Sequence, residues 1–129
     1  MLDTNVLISL FVFPTEHINR LKRNIVKHQI VICSYVVDET KEVVGRKFPN
    51  RLMDLDVFFQ SFPFVMPYSP DHFDASDYPT IRDEFDLPIL VSAIQEDVDI
   101  LITGDKDFSA IEIEKPEILT PSEYLNLYG

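Results

Sequence analysis

The sequence predicts an α/β fold, three layers deep (α/β/α), built on a central parallel sheet. Three observations carry this. Short apolar runs of strand length alternate with segments of helical period along the chain. The clearest run, Asp99 to Thr103, passes into Gly104 and Asp105, as a buried strand does at the carboxyl edge of a sheet. Acidic residues recur where strands should give way to helices or loops, at Asp3, Asp86 and Asp105, and Glu39 adds a fourth from within a helical pattern. In a parallel sheet the carboxyl ends of the strands share one edge, so carboxylates distant in sequence can meet there.

Each element follows from local signals. Leu2 opens a short apolar approach to Asp3, residues Asn5 to Val12 continue apolar, and Pro14 closes that unit. Thr15 is an N-cap for a helix through about His28, with Ile18, Leu21 and Ile25 at helical spacing. Gln29 to Cys33 reads as a buried strand. Ser34 caps the next helix, which carries Val36, Val37, Thr40, Val43 and Val44 inward and ends near Phe48-Pro49. Asn50 caps another, through about Phe62, and Phe64 to Met66 form a short strand. The stretch Pro67 to Phe85 has no clear period and reads as a long functional or mobile loop, with room for a short helix. Asp86 caps a helix with Pro88 in its first turn, running to about Asp97. After the strand Asp99 to Thr103 come a last short strand at Ile118-Leu119 and a terminal helix, Pro121 to Leu127, capped by Thr120.

Composition bounds the function. The 129 residues are 46% apolar, which fits one globular domain over 1–129. No apolar run is long enough to span a bilayer, and no basic segment leads into an apolar stretch at the start. Cys33 is the single cysteine, so disulfides and cysteine-rich zinc sites are excluded and a cytoplasmic location is the default. With Gly45, Gly104 and Gly129 the only glycines, no phosphate-cradling loop exists. His17, His28 and His72 have no paired zinc spacing. The net charge of −11 argues against a generally basic nucleic-acid surface. Yet the first 51 residues hold eight basic and five acidic side chains, and the remaining 78 hold three and 17. Solvated helix faces explain this split; so does a local phosphate-facing patch beside an acidic metal site, with acidic surface left for a basic partner.

Every candidate site residue has a bland alternative. Asp3, Asp86 and Asp105 can each cap a helix. Glu39 lies inside a helix, where capping is unavailable, and beside an apolar face it is expensive unless it is paired, ligating or turned to solvent. Together, three strand ends deliver carboxylates to one edge, and a hard cation, Mg²⁺ or Mn²⁺, is the usual way to relieve their repulsion. Asp107 completes a water-rich shell or lies outside it. Asn5 and Thr103 add uncharged polar groups. Arg46 lies two turns beyond Glu39 on nearly the same face, where it holds a substrate phosphate or a surface ion pair. Asp38, Asp83 and Glu84 read as solvated neighbours.

These segments resemble a known family. Leu2-Asp3-Thr4-Asn5-Val6-Leu7-Ile8, Val36-Val37-Asp38-Glu39, Asp86-Leu87-Pro88-Ile89-Leu90 and Ile102-Thr103-Gly104-Asp105-Lys106-Asp107-Phe108 are similar, in order and spacing, to the PIN domain of the flap-nuclease-like superfamily. The ending Leu119-Thr120-Pro121-Ser122-Glu123-Tyr124-Leu125 also looks like that family's last strand and helix. The closest subgroup is the toxins of bacterial and archaeal toxin–antitoxin pairs. The resemblance implies an Mg²⁺- or Mn²⁺-dependent endoribonuclease, an antitoxin partner and frequent homodimers. By position it implies Asp3, Glu39, Asp86 and Asp105 as the catalytic, metal-binding quartet, Asp107 as accessory ligand, and Asn5 and Thr103 in the pocket. Family members usually carry several apolar residues before the first Asp, whereas Met1 and Leu2 alone precede Asp3 here. The expectation is a clipped chain start or a short, weakly held central strand.

The chemistry expected is attack of metal-activated water on the phosphorus, leaving 5′-phosphate and 3′-hydroxyl ends. The alternative is a PIN-like module that has lost catalysis and binds a basic partner. A phosphohydrolase of the haloacid dehalogenase type needs a second Asp where Asn5 stands. Phe58, Phe59, Phe62 and Phe64 suggest either a dimer surface or a second core.

Overall fold

The computed structural model describes residues 1–13 and 15–129; Pro14, expected to close the first helical unit, lies outside them. The elements are α1 (Thr4–Val12), α2 (Glu16–Ile25), α3 (Ser34–Lys47), α4 (Leu52–Ser61), α5 (Leu87–Gln95), β1 (Ile100–Ile102), α6 (Lys106–Ser109), β2 (Glu117–Leu119) and α7 (Pro121–Tyr128). The α/β class and the parallel sheet are as the sequence predicts.

β1 and β2 pair in parallel, with Leu101 opposite Ile118. Three shorter extended segments widen the sheet. Leu2 bridges Ile102 and Val31 bridges Val65, both in parallel. The Leu2 amide donates to the Val31 carbonyl at 3.1 Å, which joins the two halves. The order across the sheet is therefore Val65, Val31, Leu2, β1, β2. The chain leaves Leu2 toward one edge and later returns to its other side. Parallel sheets bind ligands at such a reversal, in the crevice beyond the carboxyl ends of the strands. Asp3 and the turn after β1 both lie there.

Burial fixes these short segments more than ladder bonding does. Leu7, Leu21, Ile32, Val36, Leu90 and Leu101 are fully buried in one cluster. The short central segment is held by the Leu2 bond to Val31 and by the Asp3 amide, which donates to the Ile102 carbonyl at 3.2 Å. The four phenylalanines pack on one another: Phe58 stacks on Phe62 at 4.9 Å, and Phe59 meets Phe64 at 5.8 Å. The most exposed apolar residues of α4 are instead Met53 and Val57.

Thr15 caps α2, its hydroxyl accepting from the Ile18 amide, and Thr120 caps α7 in a reciprocal box with Glu123. Other local expectations are corrected. Cys33, not Ser34, holds the N-cap position of α3, because the Ser34 hydroxyl is taken by the Ser69 amide at 2.8 Å. Asn50 lies within a 3₁₀ turn, Pro49–Arg51, that runs straight into α4, so it caps nothing. The helix α2 stops at Ile25 and tightens, the His28 amide bonding the Ile25 carbonyl at 3.0 Å. The helix α5 stops at Gln95, and Asp97 turns the chain with φ of 52°, a conformation Asp tolerates better than most residues.

The long stretch from Pro67 to Phe85 holds two 3₁₀ turns, Ala75–Asp77 and Glu84–Asp86, the second running one residue past it. Long-range serine contacts pin its start. The Tyr35 amide donates to the Ser69 hydroxyl at 3.2 Å, and the Ser92 hydroxyl lies 3.0 Å from the same oxygen. Leu101→Ala, which empties the centre of this core, is expected to destabilise the fold by about 2–5 kcal/mol. An equilibrium urea titration should show a lower midpoint with an unchanged slope.

Candidate metal centre

Asp3 is 3% exposed, and both of its carboxylate oxygens are committed. One accepts from the Val6 amide at 2.9 Å, capping α1. The other accepts from the Thr103 hydroxyl. The same Thr103 oxygen accepts from the Asp105 amide at 3.0 Å, so one buried hydroxyl ties the end of the central segment to the turn after β1. Asp105 then caps α6, accepting from the Asp107 amide at 2.8 Å. Capping and site geometry are thus one arrangement, not rival explanations.

Asp86 departs from its expected role. It occupies the N-cap position of α5 but its side chain makes no capping bond, and its buried Oδ2 has no hydrogen-bond partner. The preceding turn is capped instead by Asp83, which accepts from the Phe85 amide at 3.0 Å. A buried carboxylate oxygen without a donor normally has an explanation in the surrounding chemistry. Here Asp86, Asp105 and Asp107 each present an oxygen within 4.8 Å of the others. Ligands around Mg²⁺, with bonds of roughly 2.1 Å, lie about 3–4 Å apart, so a small closure would seat such an ion. The residues fit a hard divalent cation, and these three could hold one.

Asp3 and Glu39 lie outside that trio but close enough to act on it. Burial, with the Asp105 and Glu39 charges adding, pushes the Asp3 carboxyl up to about 6 against the lowering bonds from Thr103 and Val6. Burial, then the adjoining Asp105 carboxyl, then the Asp83 and Glu39 charges push Asp86 up to about 7. Glu39, half-buried, accepts from the Thr4 hydroxyl. The sequence reading missed Thr4; its place between Asp3 and Asn5, both singled out, was the available signal. It also missed Tyr35, whose hydroxyl donates to the Phe85 carbonyl at 2.7 Å. Asn5 is exposed on the first turn of α1. Arg46 lies near the end of α3 with its guanidinium 3.8 Å from Glu42. A separate cavity of about 310 Å³ lies at the amino end of the sheet, lined by Met1, Ile30, Ile100 and Tyr124 among others, away from the carboxylates.

The family model of the PIN domain matches residues 1–107. The chain belongs to the PIN domain family. The matched span of the PIN domain includes Asp3, Glu39, Asp86, Asp105 and Asp107. Among solved structures, the crystal structure of VapBC2 from Rickettsia felis bound to a DNA fragment from their promoter is similar, with a TM-score of 0.66 at 22% identity. The likeness covers 92% of this chain and 95% of that one, and at this identity it shows the shared fold. No curated protein matches the chain by sequence. Among the described residues, no helix is long and apolar enough to cross a membrane.

The raised carboxyls fix the sign of a pH effect. Asp3 and Asp86 bind protons more tightly folded than unfolded, where Asp titrates near 3.9. Their contribution to stability is therefore greatest below about pH 4 and falls as pH rises through about 6–7. In EDTA, the melting temperature of Asp86→Asn should fall less between pH 5 and pH 8 than that of the parent chain. It should also exceed the parent's at pH 8, since Asp86 supplies no cap. Calorimetry reads both.

Proposed function

We propose that this chain is a metal-dependent endoribonuclease, a single PIN domain over residues 1–129, and the toxin of a toxin–antitoxin pair. The observation that carries this reading is the Asp86, Asp105 and Asp107 trio at the crevice of a PIN fold, with one Asp86 oxygen unpaired. In this reading Mg²⁺ or Mn²⁺ is the cofactor, with Asp107 a full member of the ligand set.

A divalent cation held there would supply an activated water and neutralise charge on the scissile phosphate. The protein's own residues supply the rest. Thr103 fixes the Asp105 backbone, so the Asp105 carboxylate is oriented before any ligand arrives. Asp3 sets the edge of the site, bound on both oxygens and therefore rigid. Glu39, steadied by Thr4, is the carboxylate best suited to accept a proton or hold a water at the rim. Asn5 is free to meet the substrate. Arg46 can reach a phosphate only by giving up an exposed pair with Glu42, a small loss.

RNA is the substrate this chemistry suits, and the partner is an antitoxin, as the resemblance to the PIN-family toxins implies. Self-association into a homodimer and a cytoplasmic location belong to the same reading, the latter in keeping with the buried free thiol of Cys33.

Two expectations test it. Mixed single-stranded and structured RNAs should be cut in Mn²⁺, spared in EDTA, and spared by Asp105→Asn, with loss of at least about 100-fold. Millimolar Mn²⁺ should raise the melting temperature of the parent chain and do so far less for Asp86→Asn. Absence of both effects would favour a binding module without catalysis.

A further inference from the structure

Beside the trio lies an open groove of about 710 Å³, lined by Ile81, Arg82, Asp83, Glu84, Phe85 and Asp107. Its volume is within the range of small-molecule sites. Asp107 belongs to both the trio and this groove, so whatever fills the groove abuts the candidate metal position. Phe85 is 71% exposed, so its ring is open to a ligand in the groove.

Its backbone is unusually well fixed for an exposed residue. The Tyr35 hydroxyl donates to the Phe85 carbonyl at 2.7 Å from the first turn of α3. The Asp83 carboxylate accepts from the Phe85 amide at 3.0 Å. Burial, with the charges of Glu39, Asp86 and Asp83 adding, pushes the Tyr35 hydroxyl up to about 12, so it stays a donor at any working pH. An exposed ring on a pinned backbone is a preformed surface, and little entropy is lost when a ligand lies on it.

The groove's charge selects the ligand part. Asp83, Glu84 and Asp107 repel phosphate, while their oxygens suit the amino and ring N–H groups of a nucleobase. Arg82, the one cation of the lining, suits the phosphate flanking that base. Flat rings of every base stack on an aromatic face, provided the base is unpaired. We propose that Phe85 is a substrate-positioning residue that stacks an unpaired nucleobase beside the scissile phosphate. Tyr35 holds the stacking platform in place. This rests on the ribonuclease reading above.

The chain contains no tryptophan, so Phe85→Trp installs a single indole at the platform, excited selectively at wavelengths above the tyrosine absorption band. The probe is a fluorescein-labelled 12-nucleotide RNA of mixed sequence, single-stranded or annealed to its complement, in Mn²⁺ with Asp105→Asn as background to prevent cutting. The expected result is quenching of the Phe85→Trp emission by the single strand and not by the duplex. Phe85→Ala should weaken single-strand binding about ten-fold by anisotropy, and Phe85→Tyr should restore it. Tyr68→Ala is the control, an 81% exposed aromatic outside the groove lining; it should bind as the background does. In the chain that retains Asp105, Phe85→Ala should raise KM with kcat little changed. RNA cleavage by the parent chain with no quenching and no effect of Phe85→Ala would overturn the stacking role and leave the ribonuclease reading intact. Neither binding nor cleavage of any RNA by the parent chain would overturn both.

Discussion

A carboxylate buried at the end of a central strand must be satisfied from within the protein, and Asp3 is satisfied twice. Its capping bond to Val6 starts α1, and its bond from Thr103 joins that start to the end of the neighbouring strand β1. Thr103 passes the constraint to the Asp105 amide, and the Asp105 side chain passes it to α6. Two segments a hundred residues apart in sequence, one at the start of α1 and one after β1, are thereby locked into one edge. The short sheet segments need this, since Leu2 makes a single bridge and β1 is three residues long.

The same lock concentrates negative charge. Asp86 lies near Asp105 with an oxygen that no donor reaches, and Asp3 and Glu39 add to the field. In the metal-free state protonation is the available relief, and it makes the site less stable at neutral pH than in mild acid. A divalent cation bound there would relieve the repulsion at neutral pH. A site that destabilises its own free form is well placed to bind a cation strongly, because the repulsion is released on binding.

Much of this was legible in the sequence where signals are local. Thr15 and Thr120 announce their helices, and Asp99 to Asp105 reads as a strand passing into a turn. The alternation of elements places Asp3, Asp86 and Asp105 at one edge without any contact being known. What stayed hidden depends on distant partners. Ser34 looked like a cap until Ser69, 35 residues away, took its hydroxyl. Asp86 looked like a cap because Asp before a proline-containing first turn usually is one; Asp83 does the capping of the preceding turn. Phe85 and Arg82 fall in a stretch without period, and the Phe85 backbone is held by Tyr35, 50 residues away.

The most direct test of the central claim, that the carboxylate cluster is a cation site held under electrostatic strain, is titration calorimetry of Mn²⁺ binding at pH 6.5 in buffers of different ionisation enthalpy. With Asp3 near 6 and Asp86 near 7 in the free protein, binding should expel protons, so the apparent enthalpy should vary with the buffer. That variation should shrink in Asp86→Asn. Binding with no buffer dependence, or no binding at all, would contradict the account.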